Sequence, residues 1–287
     1  MRIVLVNCTE LPEPDPDERP LLDALRAMGH EALSEAWDDA SVAWDRFDAA
    51  VVRATWNYAH HAEAFAEWID RAGAMTTLLN PPEVLRANLD KSYLLDLESR
   101  GVPIIPSVFA PRGGTLELAA LARERGWGRV VVKPSVSAGS YATRAFEIPR
   151  ESDAAQAFLD DMLARRGMMV QRYMPSVARG AEVCMIFIDG ALTHAIAKQP
   201  RFHGEDESVA RFEALTDAHH DLAQRVLDAW GPGEPLYARV DLIEDDNGEP
   251  VLSELELLEP SLYFGLGDGA AARMASAIER RVAALQS

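Results

Sequence analysis

A chain of 287 residues, 48% hydrophobic and 26% charged, has room for about two ordinary globular domains, and no apolar stretch approaches the roughly 18 residues of a membrane span. Its 46 acidic against 28 basic side chains give a net charge of −18, and no Lys/Arg cluster supplies the footprint a nucleic-acid binder needs. A phosphate-bearing ligand must then be held by a few placed cations and a metal.

RIVLV (2–6) reads as a buried first strand, without the long apolar core of a signal peptide. After the irregular NCTELPEPDPDER, Leu21, Leu22, Leu25 and Met28 mark a helix ending at Gly29. AAVVRAT (49–55) is a second strand, and Phe65, Trp68 and Ile69 mark the next helix. TTLLN (76–80) is a third strand, stopped by Pro81 and Pro82. This alternation predicts a small parallel α/β unit over residues 1–82. No GxGxxG follows the first strand, so a dinucleotide fold of the usual kind is unsupported. Cys8 and Cys184 lie far apart and outside any CxxC. They read as reduced, buried small hydrophobes rather than a disulfide or zinc site, which points to the cytoplasm.

Beyond the prolines, NLDKSYLLDLESRG reads as one helix capped by Gly101. Helix (about 115–125), strand RVVVKPS, loop VSAGS, strand YATRAFEI, helix (about 152–165) and strand MMVQRYM follow as an α+β module. With the preceding helix it makes a second unit, 83–170. Residues 171–287 alternate mostly antiparallel strands with two helices, and FIDGAL and EDDNGEP carry hairpin turn chemistry. PRFHGEDESVARFE (200–213) is polar without an apolar period and is expected to be a mobile loop.

In LSELELLEP (252–260), Glu254 and Glu256 fall two apart, so a strand projects them side by side while Leu255 and Leu257 fill the other face. Like charges that close raise each other's pKa. Either a divalent cation neutralises them, since Mg²⁺ takes one or two carboxylates plus substrate phosphates, or the strand has a solvated acidic face. Under the metal reading, Glu254→Gln abolishes turnover and, by removing one of two like charges, slightly stabilises the metal-free protein. YARVDLI sets Arg239 and Asp241 two apart in the same way, as part of the site or as a structural pair. Lys133 in VVVKPS and Lys198 in THAIAKQP sit in strands that otherwise call for burial; each needs an anion beside it, or it snorkels. After Lys133, small residues including Ser135, Ser137, Gly139 and Ser140 would let backbone amides approach phosphate oxygens.

These segments, with VVRATWNY, NPPEVLRANLDKSYLLDLESRGVPIIPS, VQRYMPSV and GAEVCMIFIDGALTHAIAKQP, resemble the ATP-grasp superfamily in order and spacing over nearly the whole chain. Within it they look most like the glutathione-synthetase-like proteins that include O-ureido-serine cyclo-ligases, which close the cycloserine ring. The resemblance implies an N-terminal parallel α/β domain, a small lid subdomain and a C-terminal antiparallel-sheet subdomain. It implies ATP with Mg²⁺, or Mn²⁺ in its place. The activity implied is a carboxylate–amine ligase of specialised metabolism that forms an acyl phosphate and releases ADP and phosphate. Carried onto this chain, Lys91 and Lys133 contact ATP phosphates, with Ser135 and Ser140 in the adjoining loop. Gln171 and the backbone around Tyr173 face adenine, and Glu182 takes the ribose hydroxyls. Asp241, Glu254 and Glu256 ligate the metal, and Lys198 and Arg239 lie near the transferred phosphoryl group. The partners implied are a small-molecule carboxylate and amine; a homodimer is left open. A nucleotide-binding module without turnover is the non-enzymatic alternative, and the full set of ligands argues against it.

The chain departs from the branch in three places. Asn57 stands where Asp is common, an extra residue separates Gly180 from Glu182, and paired glycines are missing after Lys198. Strand ends face the ligand crevice in open α/β sheets. Arg53, Thr55, Trp56 and Asn57 therefore offer a cation, a hydroxyl, a ring and an amide to an amino-acid substrate. With Asn57 in place of an acid, a substrate ammonium loses its counter-charge there. That favours joining two molecules over ring closure.

Overall fold

The structure is a computed structural model and describes residues 1–139, 141–178, 180, 182–199 and 208–285. In the N-terminal part, β1 (Arg2–Asn7), α1 (Glu18–Ala27), β2 (Glu31–Ala36), β3 (Ala49–Ala54), α2 (Ala62–Gly73) and β4 (Thr77–Leu79) alternate as expected. The four strands form a parallel sheet in the order β2-β1-β3-β4. Every residue of β3 is buried, because helices cover both faces of a parallel sheet. Phe65, Trp68 and Ile69 pack on one face with Trp37 and Trp44. Leu21, Leu22 and Leu25 pack on the other, together with Met274 and Ile278 from the C-terminal helix.

Strand β2 escapes the sequence reading. EALSEA lies at the sheet edge with only Ala32 buried, so it lacks the apolar run that reveals β1 and β3.

The segment after the prolines is two helices rather than one, α3 (Pro82–Asn88) and α4 (Tyr93–Ser99). In the break, Lys91 N bonds to Ser135 O at 2.8 Å, which fixes Lys91 against the strand end bearing Lys133. Both helices are tied to the C-terminal sheet. Asn88 Nδ2 and Tyr93 Oη each donate to Leu255 O at 2.8 Å, and Val84, Leu94 and Leu97 join that sheet's core.

The lid comprises β5 (Ser107–Ala110), α5 (Leu118–Arg125), β6 (Arg129–Pro134), β7 (Arg144–Glu147), α6 (Ser152–Leu163) and β8 (Met168–Arg172). Its antiparallel sheet runs β5-β8-β6-β7 and packs on α5 and α6. Because β8 continues to Arg172, a division at 170/171 cuts through a strand.

The C-terminal part holds β9 (Glu182–Ile188), β10 (Ala191–Lys198), β11 (Val209–Arg211), α7 (Asp217–Ala229), β12 (Tyr237–Glu244), β13 (Pro250–Glu256) and α8 (Ala270–Leu285). Its antiparallel order is β11-β10-β9-β12-β13. Asp189 and Gly190 both take positive φ in the turn between β9 and β10, the chemistry of a two-residue hairpin. Of the stretch expected as a mobile loop, residues 200–207 lie outside the described residues, and Val209–Arg211 form an edge strand on β10. Among the described residues no helix is long and apolar enough to cross a membrane.

Candidate active site

Antiparallel register turns the two-residue spacings into a cluster. Arg239 on β12 is the partner of Glu256 on β13, and Asp241 is the partner of Glu254. On the far side, Lys198 at the end of β10 pairs with Glu182 at the start of β9. The lid sheet adds Lys133 from β6 and Gln171 from β8. The result is a cleft of about 450 Å³ lined by Lys91, Lys133, Gln171, Tyr173, Glu182, Lys198, Arg239, Glu254 and Glu256. Residues distant in sequence, from three separate sheets or their connections, share one cavity.

Cations and carboxylates alternate around it. Lys91 is buried; its Nζ lies 2.9 Å from Glu254 Oε1 and donates to Ser137 O at 2.8 Å. Lys198 Nζ sits between Glu182 at 3.1 Å and Asp241 at 3.3 Å. The Arg239 guanidinium grips Asp241 with Nε at 2.8 Å and Nη2 at 2.9 Å, and Nη2 also pairs with Glu256. Lys133 lines the cleft with no ion pair among the described residues.

Burial and pairing compete in setting the charges. Burial opposes the ammonium of Lys91, but Glu254, then Glu259 and Glu256, outweigh it and hold the pKa above its ordinary value. For Lys133 burial wins over Glu254 and lowers the pKa. Burial would raise Glu254, yet Lys91 and Lys133 hold it below the usual range. Burial, which Arg239 offsets only in part, pushes Glu256 up to about 7. The expectation that the two glutamates raise each other thus fails for Glu254, because a buried lysine stands beside it.

Glu254 and Glu256 are hard oxygen donors on the cleft wall, a set that fits Mg²⁺ completed by substrate phosphates. Asp241 is 1% exposed, does not line the cleft, and stands behind Arg239 and Lys198. The one convergent trio of metal-binding groups among the described residues is Glu182, Cys184 and Asp241. Burial pushes the Cys184 thiol well above its ordinary pKa, and Lys198 already bridges the two carboxylates. That trio is occupied by a lysine and does not suit a hard cation.

Of the expected loop residues, Ser140 lies outside the described residues. Ser135 is buried away from the cleft, donating to Asp90 Oδ2 at 2.7 Å. Gln171 Nε2 donates to Ser107 Oγ at 3.1 Å, and Arg129 stacks 3.8 Å over the Tyr173 ring.

Three of the four residues expected to meet substrate at the end of β3 and beyond it do not reach the cleft. Arg53 is 2% exposed, donates to Asp17 and to Pro260 O, and lies over the Tyr237 ring. Thr55 is fully buried. Asn57 faces the opposite way, accepting from Trp37 Nε1 and donating to Asp38 Oδ2, each at 2.7 Å. The chain turns into a short 3-10 helix at Trp56–His60, so strand alternation no longer sets direction beyond Thr55. Trp56 does line the cleft, with Tyr58 and His60 beyond it, and its Nε1 donates to Glu259 O at 3.2 Å.

Two residues outside the expected set bear on the cleft. Glu259 lines the cleft, 9% exposed, and burial with the nearby Glu256 charge pushes its carboxyl up to about 8. Asp17 accepts the backbone N–H groups of Leu262, Tyr263 and Phe264 and thereby shapes the loop that carries Glu259. Glu259 stands next to last in LSELELLEP, but its place in the cleft depends on the fold-back of that loop, which local spacing does not set.

Residues 3–80 match the family model of the N-terminal domain of D-cycloserine synthetase DcsG. The cycloserine biosynthesis protein DcsG of Streptomyces lavendulae is 33% identical over 285 residues, covering 93% of this chain and 94% of that protein. The crystal structure of D-cycloserine synthetase DcsG superposes with a TM-score of 0.89 at 30% identity, covering 98% of this chain and all of that one. A RimK-domain ATP-grasp protein from Sphaerobacter thermophilus (TM-score 0.69, 20% identity, 98% of both chains) shares the fold. So does a D-alanine–D-alanine ligase from Bacillus anthracis (0.70, 13%, 99% and 98%). The cleft with its ring of cations is thus set in an ATP-grasp fold, and the chain belongs to the DcsG family of ATP-grasp ligases.

Proposed function

We propose that the protein activates the carboxylate of an amino acid with ATP, forming an acyl phosphate and ADP, and that a nitrogen nucleophile then displaces phosphate. The observation that carries this is the convergence of Lys91, Lys133, Lys198 and Arg239 on one cleft in a chain of net charge −18. Lys91 and Lys133 hold the phosphates. Gln171 and the backbone near Tyr173 receive the adenine, and Glu182 the ribose. Lys198 and Arg239 offset the charge that builds on the transferring oxygens, in a setting where such groups are already oriented. Glu254 and Glu256, with Asp241 behind them, would hold a Mg²⁺ ion, which supplies Lewis-acid neutralisation of phosphate charge. No covalent enzyme intermediate is needed, so positioning carries the rate. In this reading an N-terminal unit (1–82), a lid (83–172) and a C-terminal unit (173–287) each form one wall.

The nucleophile can come from a second molecule or from the same one. Asn57 faces Asp38 and not the cleft, so an amide in place of an acid there takes no counter-charge from a substrate ammonium. The likeness to cycloserine-forming relatives then supports ring closure within an O-ureido-serine-type amino acid. Incubation with Mg-ATP and O-ureido-D-serine tests this by ADP release and by mass spectrometry for cycloserine. ADP release only when an amine is added favours joining; binding of ATP without turnover under any of these conditions overturns the ligase reading.

A further inference from the structure

We infer that Glu259 seats the α-ammonium group of the amino-acid substrate, with Trp56 and Tyr58 as walls of that subsite. The inference rests on the proposed reading only for calling the occupant an amino acid; the geometry stands without it.

The cleft carboxylates are not alike. Glu182 is matched by Lys198, Glu254 by Lys91 and Glu256 by Arg239. Glu259 lines the same cleft, 9% exposed, and forms no ion pair among the described residues. The Tyr58 hydroxyl, which donates to Ser137 O at 3.3 Å, neighbours its side chain. A carboxylate so removed from water is costly unless a cation comes to it. Lys91, Lys198 and Arg239 each pair with a neighbouring carboxylate, and Lys91 reaches Glu259 only as a weaker charge from beyond ion-pair distance.

The position is also held, so it is not a loop charge that happens to face inward. Glu259 O accepts from Trp56 Nε1 at 3.2 Å, Pro260 O from Arg53 Nη2 at 2.8 Å, and Ser261 O from Arg239 Nη1 at 3.1 Å. The next three backbone N–H groups all donate to Asp17. Every residue from Glu259 to Phe264 is thereby fixed from outside the loop, as expected of a specificity contact.

An ammonium group suits this place better than a divalent ion. Mg²⁺ asks for near-octahedral oxygen ligands, whereas here one carboxylate stands beside the Tyr58 hydroxyl and the Trp56 indole N–H, both of them donors. The neighbouring geometry fits the other half of an amino acid. Arg239, which holds this loop at Ser261, is also among the residues lining the cleft, so the same cavity offers a cation for the α-carboxylate and an anion for the α-ammonium.

The test is calorimetric binding of O-ureido-D-serine and D-serine in the presence of Mg²⁺ and a non-hydrolysable ATP analogue. Each is compared with its des-amino counterpart, 3-(ureidooxy)propanoate or 3-hydroxypropanoate. The wild type is expected to prefer at least one amino acid over its counterpart. Glu259→Gln is expected to weaken that amino acid's binding by roughly 10- to 100-fold, with the des-amino acid and the ATP analogue unaffected. Glu259→Asp should keep part of the preference. Equal binding by wild type and Glu259→Gln, no preference in the wild type, or no binding of either amino acid to the wild type overturns the assignment. ADP release is followed in parallel: preference without ADP release upholds Glu259 and removes the ligase reading instead.

Discussion

Arg53 Nη2 lies 3.3 Å from Asp17 Oδ2, and neither side chain is more than 2% exposed. The pair joins the end of β3 to the start of α1, and through the Asp17 carboxylate it holds the loop after β13. Removing one charge leaves the other buried and unmatched, at a cost of about 3–5 kcal/mol. Asp17→Asn is therefore expected to lower unfolding free energy by that amount in urea titration. Adding Arg53→Met should recover part of the loss, since the two sites share one interaction. Simple additivity would show that the contact is incidental.

Lys133 is the cleft lysine with no ion pair among the described residues, and burial already disfavours its charge. Its replacement by alanine strands no partner and should leave the urea midpoint close to wild type. Affinity for Mg-ATP, by calorimetry, should fall by roughly 10- to 100-fold, the range for a lost hydrogen bond to a charged group. An unchanged affinity would mean that the phosphates bind elsewhere.

Glu254→Gln reverses an expectation drawn from spacing alone. Two glutamates side by side suggest that removing one relieves repulsion. Lys91, 6% exposed and 2.9 Å from Glu254, changes the balance. Without Glu254 a buried ammonium loses its main counter-charge, so the metal-free protein should be destabilised by about 2–4 kcal/mol. Turnover should be lost as well. A gain in thermal stability would show that repulsion dominates after all.

What could be read from sequence follows from what strands and helices impose locally. Continuous apolar runs disclosed β1 and β3, and alternation correctly set Arg239 with Asp241 and Glu254 with Glu256. Edge strand β2 and the break before Lys91 had no such signature. The network at Asp17 was invisible because its partner Leu262 is 245 residues away. Asn57 lies past the end of β3, where the chain coils, so the rule that strand ends face the crevice does not extend to it. That yields its own prediction. Asn57→Asp sets a second carboxylate against Asp38, whose pKa is held low by hydrogen bonds from Thr9 and Asn57 that outweigh its burial. Stability should drop by about 1–2 kcal/mol in urea titration, while KM for substrate stays unchanged. A lower KM would return Asn57 to the substrate site.

Glu259 also predicts a pH dependence, with a definite sign. Burial, then the Glu256 charge, raises its carboxyl from an ordinary 4.5 to about 8 in the folded chain. Between those values the native state keeps a proton that the unfolded chain releases. Its contribution to stability is thus complete below about 4.5 and is lost as pH rises through about 8. Glu259→Gln cannot ionise and lacks this loss. The melting temperature of the variant minus that of wild type should therefore climb from pH 5 to pH 8 and then level off. The rise should reach several degrees, at about 2–4 °C per kcal/mol for a chain of this size. Saturating O-ureido-D-serine should reduce the climb, because an ammonium beside the carboxylate favours its ionised form. A difference that stays flat, or falls, across that window would mean that Glu259 is ionised in the folded protein and finds its counter-charge within the chain.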